Sequence, residues 1–142
     1  MVQLACIAGA EVIGTCGPNN IEMVKGLGAK EVLNYRTTDF HAWGQDPQNK
    51  VDVVIDCVGG KSLGDAWWTI KDGGVLVSIA RIAQPPEQVR PTGYEGKDVR
   101  NFFFIMQPEG VQLERISKLI DLGKCKAAVD SVWRLEDYEK VF

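Results

Sequence analysis

The sequence lacks a long hydrophobic run, a concentrated basic patch and any closely spaced pair of cysteines. A membrane-spanning helix needs about 18 or more apolar residues in a row, so we expect no membrane partner. A nucleic-acid surface needs clustered Lys and Arg, whereas the 142 residues carry a formal net charge of −3, so we expect no nucleic-acid partner. Because the four cysteines are widely separated, we predict no zinc ribbon and no metal site.

Cys6, Cys16 and Cys57 stand among apolar neighbours, which is typical of small buried hydrophobic residues in a reducing compartment. We therefore expect a cytoplasmic protein. A cysteine nucleophile would require a histidine base, and the single histidine, His41, lies in a polar stretch. We interpret His41 as a surface residue and assign no catalytic residue.

Strand-like and helix-like segments alternate along the chain. The clearest strand is 51–58, which is almost continuously apolar, as expected of a parallel strand that is covered on both faces. Residues 81–98 are rich in Pro, Gly and charge and are expected to form a long loop. The alternation predicts a doubly wound parallel sheet. The other predicted strands are 11–16, 31–35, 75–79, 101–106 and 127–133, and the predicted helices are 2–8, 20–28, 38–44, 62–72, 111–122 and 136–142.

A glycine-rich phosphate turn is absent from the sequence. Cys57-Val-Gly-Gly-Lys-Ser62 resembles a P-loop, but the required first glycine is replaced by Ile55. The G-x-G-x-x-G fingerprint, which follows the first strand of a Rossmann domain, is also absent. Since the sequence opens on the end of a helix capped by Gly9, we predict an α/β, doubly wound, parallel Rossmann-like sheet that lacks its first strand and glycine-rich turn.

The end of the first visible strand, Thr15-Cys16-Gly17, carries no acidic residue. An Asp or Glu at this point would bind a ribose 2′-hydroxyl and repel a 2′-phosphate, so the segment favours NADP(H). The alternative is an ordinary turn in which Asn20 caps the next helix.

Several segments together resemble the medium-chain dehydrogenase/reductase superfamily, and the similarity is greatest to zinc-free quinone oxidoreductases and fungal trans-acting enoyl reductases. The resemblance covers essentially the whole chain. The segments that carry it are Ala8-Gly-Ala-Glu-Val-Ile-Gly-Thr15, Leu27-Gly-Ala29, Glu31-Val-Leu-Asn-Tyr-Arg36, Val51-Asp-Val-Val-Ile-Asp-Cys-Val-Gly59, Asp72-Gly-Gly-Val-Leu-Val-Ser78, Phe102-Phe-Phe-Ile-Met-Gln-Pro108, Leu119-Ile-Asp-Leu-Gly-Lys124 and Val129-Asp-Ser-Val-Trp133.

The resemblance implies a Rossmann domain that binds NADP(H), formed by residues 1–124. Residues 125–142 would return to a GroES-like catalytic domain that is absent from this sequence. By position, ten residues would contact the cofactor: Thr15, Cys16, Gly17 and Asn20 at the 2′-phosphate, Tyr35 at the adenosine, Cys57 and Val58 at the riboses, and Ile79, Phe103 and Phe104 at the nicotinamide.

The implied function is the cofactor-binding part of an NADP(H)-dependent oxidoreductase that reduces a quinone, enoyl or carbonyl substrate and is inactive as this chain alone. The alternative is a non-catalytic relative that acts in dimerisation or partner binding. Whether the chain is itself an enzyme stays open at this point.

The absence of a first strand has two consequences for the sheet. Strands 11–15 and 51–58 should pair directly, or another chain should fill the position between them, because burying a central strand supplies about 1.5–3 kcal/mol per large apolar side chain. The apolar strand 102–105 should lie at the sheet edge, where an exposed edge favours pairing with a second copy. We therefore predict a homodimer through this edge.

Overall fold

The structure, a computed structural model, describes residues 1–80, 90–96, 98–129 and 131–140. Five described strands pair only in parallel, in two sheets. The first sheet pairs β1 with β2, and the second has the order β3-β4-β5. The strands are β1 (Ile13–Cys16), β2 (Glu31–Asn34), β3 (Val51–Asp56), β4 (Ile70–Ser78) and β5 (Arg100–Phe103).

Helices connect these strands, and the predicted parallel α/β fold is confirmed. The first helix is followed by Gly9 at φ +87°, a backbone conformation that favours glycine, as predicted for a glycine after a helix end. The α-helices are α1 (Val2–Ile7), α2 (Ile21–Gly26), α3 (Phe40–Trp43), α4 (Lys61–Ala66) and α5 (Gly110–Asp121), and 3-10 turns cover Pro18–Asn20, Pro47–Asn49, Trp67–Thr69 and Leu135–Lys140.

The prediction of a helix over 62–72 was too long. Helix α4 ends at Ala66, and the chain tightens into a 3-10 turn in which Thr69 Oγ1 donates to the Ala66 carbonyl at 2.8 Å. Ile70 then begins β4, so Gly73 and Gly74 lie inside that strand, where its register against β3 shifts. The apolar run around Trp67 fits a helix face and a buried strand equally well, and tertiary packing decides between them.

The expectation of a strand over 127–133 was wrong, because its described residues form no strand, and Val129 and Val132 are exposed there. Of the two alternatives for strands 11–15 and 51–58, direct pairing is excluded, since β1 pairs only with β2 and β3 only with β4 among the described strands. The other alternative, a second chain between them, stays a prediction. The predicted loop over 81–98 falls largely outside the described residues, because 81–89 and 97 are not among them.

The hydrophobic core lies on one face of the β3-β4-β5 sheet. Its buried members are Leu63, Trp67, Ile70, Leu76 and Tyr94. On the opposite face of β3, the side chains of Val53 and Ile55 are 54% and 40% exposed, so the expectation that this strand is covered on both faces was wrong. The edge position expected for β5 is confirmed among the described strands, because β5 pairs only with β4.

Candidate cofactor site

The ten residues that the sequence nominated for cofactor binding all lie at or just beyond the carboxyl ends of the five strands. In a doubly wound sheet these ends lie along one edge, which is where such folds bind their ligands. Backbone hydrogen bonds tie the ends together in two groups. The structure thus brings the nominated residues to the chemically appropriate edge of the fold, while their contacts with a cofactor stay a prediction.

The first group, called the adenosine end, consists of Thr15, Cys16, Gly17, Asn20 and Tyr35. The backbone N–H of Tyr35 donates to the Cys16 carbonyl at 3.2 Å, which joins the ends of β1 and β2. A side chain added at Gly17 would place its Cβ 3.8 Å from the Tyr35 ring, so the glycine leaves that face of the ring uncovered. The Tyr35 side chain is 54% exposed and therefore accessible to a ligand.

Asn20 occupies the N-cap position of α2, but its side chain makes no capping hydrogen bond. The expectation that this side chain caps the helix was wrong, and the exposed amide is left available to a ligand. Thr15 is also exposed and Cys16 is half-buried. The adenosine end therefore offers hydroxyl and amide hydrogen-bond donors next to an accessible aromatic ring.

Arg36 joins the adenosine end, although sequence reasoning did not nominate it. Its guanidinium carbon lies 5.7 Å from the centre of the Tyr35 ring, and its Nε donates to the Tyr35 hydroxyl at 3.4 Å. The turn that places it there is fixed by Asn34, whose Oδ1 accepts the Arg36 backbone N–H at 3.0 Å. The available signal was a cation directly after the aromatic residue that follows β2.

The second group, called the nicotinamide end, consists of Cys57, Val58, Ile79, Phe103 and Phe104. The Ile79 N–H donates to the Asp56 carbonyl at 2.9 Å, and the Phe104 N–H donates to the Ser78 carbonyl at 2.8 Å, which joins the ends of β3, β4 and β5. Val58, Ile79 and Phe104 are 77%, 45% and 51% exposed. Their side chains form an accessible apolar surface at the edge where the ring of a nicotinamide would lie.

The cysteines differ from the sequence-based expectation of burial. Cys57 is exposed at the end of β3, whereas Cys6 and Cys16 are half-buried. The reason is local, because Cys57 follows the last residue of the strand and precedes a turn in which Gly59 and Gly60 adopt φ values of +76° and +56°. An exposed thiol at this position is accessible from the edge of the sheet.

Asp56 organises the nicotinamide end and was also missed by sequence reasoning. Its carboxylate is almost fully buried and accepts hydrogen bonds from the backbone N–H groups of Val58 (3.2 Å) and Gly59 (3.0 Å). It also accepts the hydroxyl proton of Ser78 at 2.8 Å, across the β3-β4 pair. The Ser78 Oγ in turn accepts the Ala80 N–H at 3.3 Å. One carboxylate therefore fixes the turn after β3 relative to the end of β4.

His41 lies outside the candidate site. It is exposed, the centres of its ring and the Trp68 ring lie 4.3 Å apart with the two planes nearly perpendicular, and its Nε2 lies 3.2 Å from Gln45 Nε2. These contacts agree with the interpretation of His41 as a surface residue rather than a base.

The described residues fit the adenosine and nicotinamide parts of a dinucleotide better than they fit its pyrophosphate. The adenosine end combines a cation, hydroxyl and amide donors and an open aromatic ring, as an adenosine phosphate requires. The nicotinamide end supplies an ordered backbone and an apolar surface. The described residues contain no glycine-rich turn for the pyrophosphate, and no group of three or more of their His, Cys, Asp and Glu side chains could hold a metal ion, so a zinc ion does not fit them.

A family model described as zinc-binding dehydrogenase matches residues 27–142. Among curated relatives, a probable zinc-binding oxidoreductase, mitochondrial, of Arthroderma benhamiae is 49% identical over 99% of this chain and 42% of its own length. A chloroplast envelope quinone oxidoreductase homolog of Arabidopsis thaliana is 30% identical over 92% of this chain and 40% of its own length. The trans-enoyl reductase pgmF of Aspergillus terreus is 28% identical over 96% of this chain and 41% of its own length.

Solved structures give the same comparison. The quinone oxidoreductase from Coxiella burnetii superposes with a TM-score of 0.81 at 28% identity, over 99% of this chain and 42% of that one. The Escherichia coli quinone oxidoreductase complexed with NADPH superposes with a TM-score of 0.68 over 90% of this chain and 43% of that one. Its sequence identity is 22%, so this likeness concerns the fold alone.

The chain thus spans about two fifths of the length of the proteins that it matches. Within the part of the chain that the structure describes, no helix has the length and apolarity needed to cross a membrane.

Proposed function

Because this chain belongs to the zinc-binding dehydrogenase family, within the medium-chain dehydrogenase/reductase superfamily, we propose that it is the cofactor-binding part of an NADP(H)-dependent oxidoreductase. The observation that carries the proposal is the position of all ten nominated residues at the carboxyl ends of five parallel strands. When bound, the cofactor supplies a hydride for a quinone, enoyl or carbonyl substrate. This chain binds and orients the cofactor through the adenosine end and the nicotinamide end.

The preference for NADP(H) over NAD(H) rests on charge at the adenosine end. The segment from Thr15 to Asn20 contains no carboxylate, and Arg36 places a cation over the Tyr35 ring. A guanidinium binds a phosphate through charge-assisted hydrogen bonds, so the 2′-phosphate adds affinity here rather than repulsion. A plain helix-capping role for this turn is less favoured, since Asn20 makes no capping bond.

Titration of NADPH and NADH against the purified chain tests this assignment. We expect saturable NADPH binding, with Arg36→Ala weakening NADPH about five- to tenfold, because a partly screened charge-assisted bond contributes about 1 kcal/mol. NADH binding should change little. Arg115→Ala, which removes an exposed arginine on α5, is the matched control. Equal weakening of both cofactors by Arg36→Ala would contradict the charge argument.

The chain is proposed to be inactive by itself. No catalytic residue is assigned within it, and residues 125–142 are proposed to contact a GroES-like catalytic domain, as the resemblance implies. Three of the five residues of the nicotinamide end have exposed apolar side chains, namely Val58, Ile79 and Phe104, and a substrate domain is proposed to cover them. Oxidation of NADPH by the isolated chain with a quinone or an enoyl thioester would contradict this part of the proposal.

A second candidate function is dimerisation or partner binding, and the edge strand β5 favours it. Phe102, Phe104, Ile105 and Met106 are 47–75% exposed at this edge, and an apolar edge favours pairing with another strand. We propose a homodimer through β5. A monomeric mass by light scattering at high concentration would contradict the dimer, and failure to bind NADPH by a chain that does dimerise would favour this second function.

The cytoplasmic location expected from the cysteines stays a prediction. The named relatives include a mitochondrial and a chloroplast envelope protein, so fractionation of the organism that makes this chain is the direct measurement.

A further inference from the structure

A buried carboxylate adjoins the nicotinamide end, whose own five residues carry no formal charge. Asp56 is 5% exposed and directly precedes Cys57 and Val58. Its hydrogen-bond partner Ser78 is 2% exposed and directly precedes Ile79. The carboxylate is thus held by the same stretches of chain that carry the residues nominated for this end of the cofactor.

The hydrogen bonds around Asp56 are those of a carboxylate anion. Its Oδ1 accepts the N–H groups of Val58 and Gly59 at 3.2 and 3.0 Å, and its Oδ2 accepts the Ser78 hydroxyl at 2.8 Å. The Ser78 Oγ is in turn the acceptor of the Ala80 N–H at 3.3 Å. A proton on Oδ1 would meet the two N–H donors, and a proton on Oδ2 would leave the buried Ser78 hydroxyl without this acceptor. Both oxygens therefore serve as acceptors, which requires the ionised form.

Within the described part of the chain, no cation forms an ion pair with Asp56. Lys61, the nearest cation in the sequence, pairs with Asp65 instead. Lys71, on the adjacent strand β4, pairs with Asp52 near the opposite end of β3. Hydrogen bonds from neutral donors stabilise a charge without cancelling it, so Asp56 contributes a negative potential at the nicotinamide end.

We propose that the Asp56 carboxylate raises the affinity of the nicotinamide end for the oxidised cofactor, NADP⁺, relative to NADPH; this inference rests on the proposed cofactor role. A nicotinamide ring is neutral when reduced, and it carries one positive charge after a hydride, with its electron pair, has passed to the quinone, enoyl or carbonyl acceptor. A nearby negative charge stabilises the cationic ring and leaves the neutral ring nearly unaffected. Asp56 thereby favours hydride donation, and it does so through the electrostatic potential, without being a catalytic residue.

A purely positioning role for Asp56 makes a different prediction from an electrostatic one. NADP⁺ and NADPH differ only at the nicotinamide ring, so a displaced backbone weakens both of them, whereas loss of the charge weakens NADP⁺ alone. The ratio of the two dissociation constants therefore isolates the effect of the charge. The adenosine end cancels in this ratio, so Arg36→Ala should weaken both redox states by the same factor.

Titration of the full chain with NADP⁺ and with NADPH tests the proposal through Asp56→Asn, which removes the charge and keeps the shape of the side chain. We expect the Kd of NADP⁺ to rise about fivefold and that of NADPH to change less than about twofold, as for one charge that acts through protein and partly through water. For a two-electron couple, a tenfold change in an equilibrium constant corresponds to about 30 mV. The expected change therefore raises the reduction potential of the bound cofactor by about 20 mV.

Two control variants separate the charge from its surroundings. Asp52→Asn removes a carboxylate of the same strand that is 81% exposed and paired with Lys71, so it should leave the ratio unchanged. Ser78→Ala removes a hydrogen bond and keeps the Asp56 charge, so it should also preserve the ratio even if both states bind more weakly. If circular dichroism shows that Asp56→Asn is unfolded, Asp56→Ala/Ser78→Ala replaces it, with Ser78→Ala as the reference, because removing both partners of a buried bond costs less than leaving one unpaired.

The outcomes distinguish this inference from the cofactor role on which it rests. Equal weakening of both redox states by the charge-free variant would show a positioning role only; it would overturn the inference and leave the cofactor role standing. An unchanged ratio, or an equal change of the ratio in Asp52→Asn, would overturn it as well. Failure of the wild-type chain to bind either state would instead contradict the proposed cofactor role, and this inference with it.

Discussion

The buried hydrogen bonds of Asp56 make a quantitative prediction about stability. Asp56→Ala leaves the Ser78 hydroxyl, which is 2% exposed, without its acceptor, and it releases the N–H groups of Val58 and Gly59. A hydrogen bond to a charged group contributes about 1.5–3 kcal/mol, and a buried polar group left unpaired costs about 1–3 kcal/mol. Because the two loop N–H groups can bind water instead, we expect a total loss of about 2–4 kcal/mol. That is a large share of the roughly 5–15 kcal/mol by which a domain is stable.

Urea unfolding of four chains measures this loss: wild type, Asp56→Ala, Ser78→Ala and the double variant. Ser78→Ala alone should cost about 1 kcal/mol, since the Asp56 carboxylate keeps its two backbone donors. The double variant should be more stable than the sum of the single losses predicts, by at least about 1 kcal/mol, because the two groups share one bond. Additive losses would refute the assignment of a direct Asp56–Ser78 interaction.

Asp52→Ala is the matched control for loss of a carboxylate on the same strand. Asp52 forms an ion pair with Lys71 at 2.9 Å, and the two side chains are 81% and 44% exposed. Exposed ion pairs contribute about 0–1 kcal/mol, so this variant should unfold within about 0.5 kcal/mol of wild type. Hydrogen exchange at Val58 and Gly59 should accelerate in Asp56→Ala and not in Asp52→Ala. Unchanged stability and exchange in Asp56→Ala would refute the reasoning.

Two further predictions concern positions outside the candidate site. Gly44→Ala should destabilise the chain by about 3 kcal/mol in urea unfolding, because its Cβ would collide with the backbone carbonyl of Trp68. Gly110→Ala is the control: no atom lies within 4 Å of its Cβ, so this variant should unfold within about 0.5 kcal/mol of wild type or be slightly more stable. Equal effects of the two substitutions would contradict the packing. Burial, and after it the nearby Asp72 charge, raises the pKa of the Tyr94 phenol above its usual 10.0, while Arg90 opposes the rise. The unfolded chain therefore loses the phenol proton at a lower pH than the folded chain does. The free energy of unfolding is intact below pH 10.0 and falls as the pH rises toward the folded-state pKa. Tyr94→Phe should lose less stability than wild type across that alkaline range, and parallel pH profiles of the two chains would contradict the shift.

The strands whose sequences are locally unambiguous could be predicted from the sequence, and those decided by distant partners could not. Val51–Asp56 is apolar, β-branched and bounded by polar residues, and it is a strand as predicted. The stretch 127–133 is also rich in apolar residues, yet its described residues form no strand. The α4–β4 boundary was misplaced because an apolar run such as Trp67 to Ile70 satisfies either periodicity. Its resolution depends on packing against Tyr94, which lies 27 residues beyond Trp67 and outside any local window.

The candidate site divides in the same way. The ten nominated residues were placed by family resemblance and by the rule that ligands bind at the carboxyl ends of parallel strands. Arg36 and Asp56 were missed because their roles depend on contacts. Arg36 gains its place from a turn fixed by Asn34, and Asp56 gains its role from Ser78, 22 residues further along the chain. A buried acid at the end of an apolar strand is the one signal that could have nominated Asp56, since such a group requires donors.

The uncovered face of the three-stranded sheet bears on the stability of the chain. Ile55, Val77 and Phe102 are register partners across β3, β4 and β5 and so share one face. Val54 and Leu76, partners on the opposite face, contact the core. A sheet face that meets water is normally polar, whereas apolar residues on both faces are typical of parallel strands covered on both sides. Since Ile55 and Phe102 are 40% and 47% exposed, each gives up part of the roughly 1.5–3 kcal/mol that full burial provides. The sequence of β3 is therefore suited to a sheet whose second face is also covered.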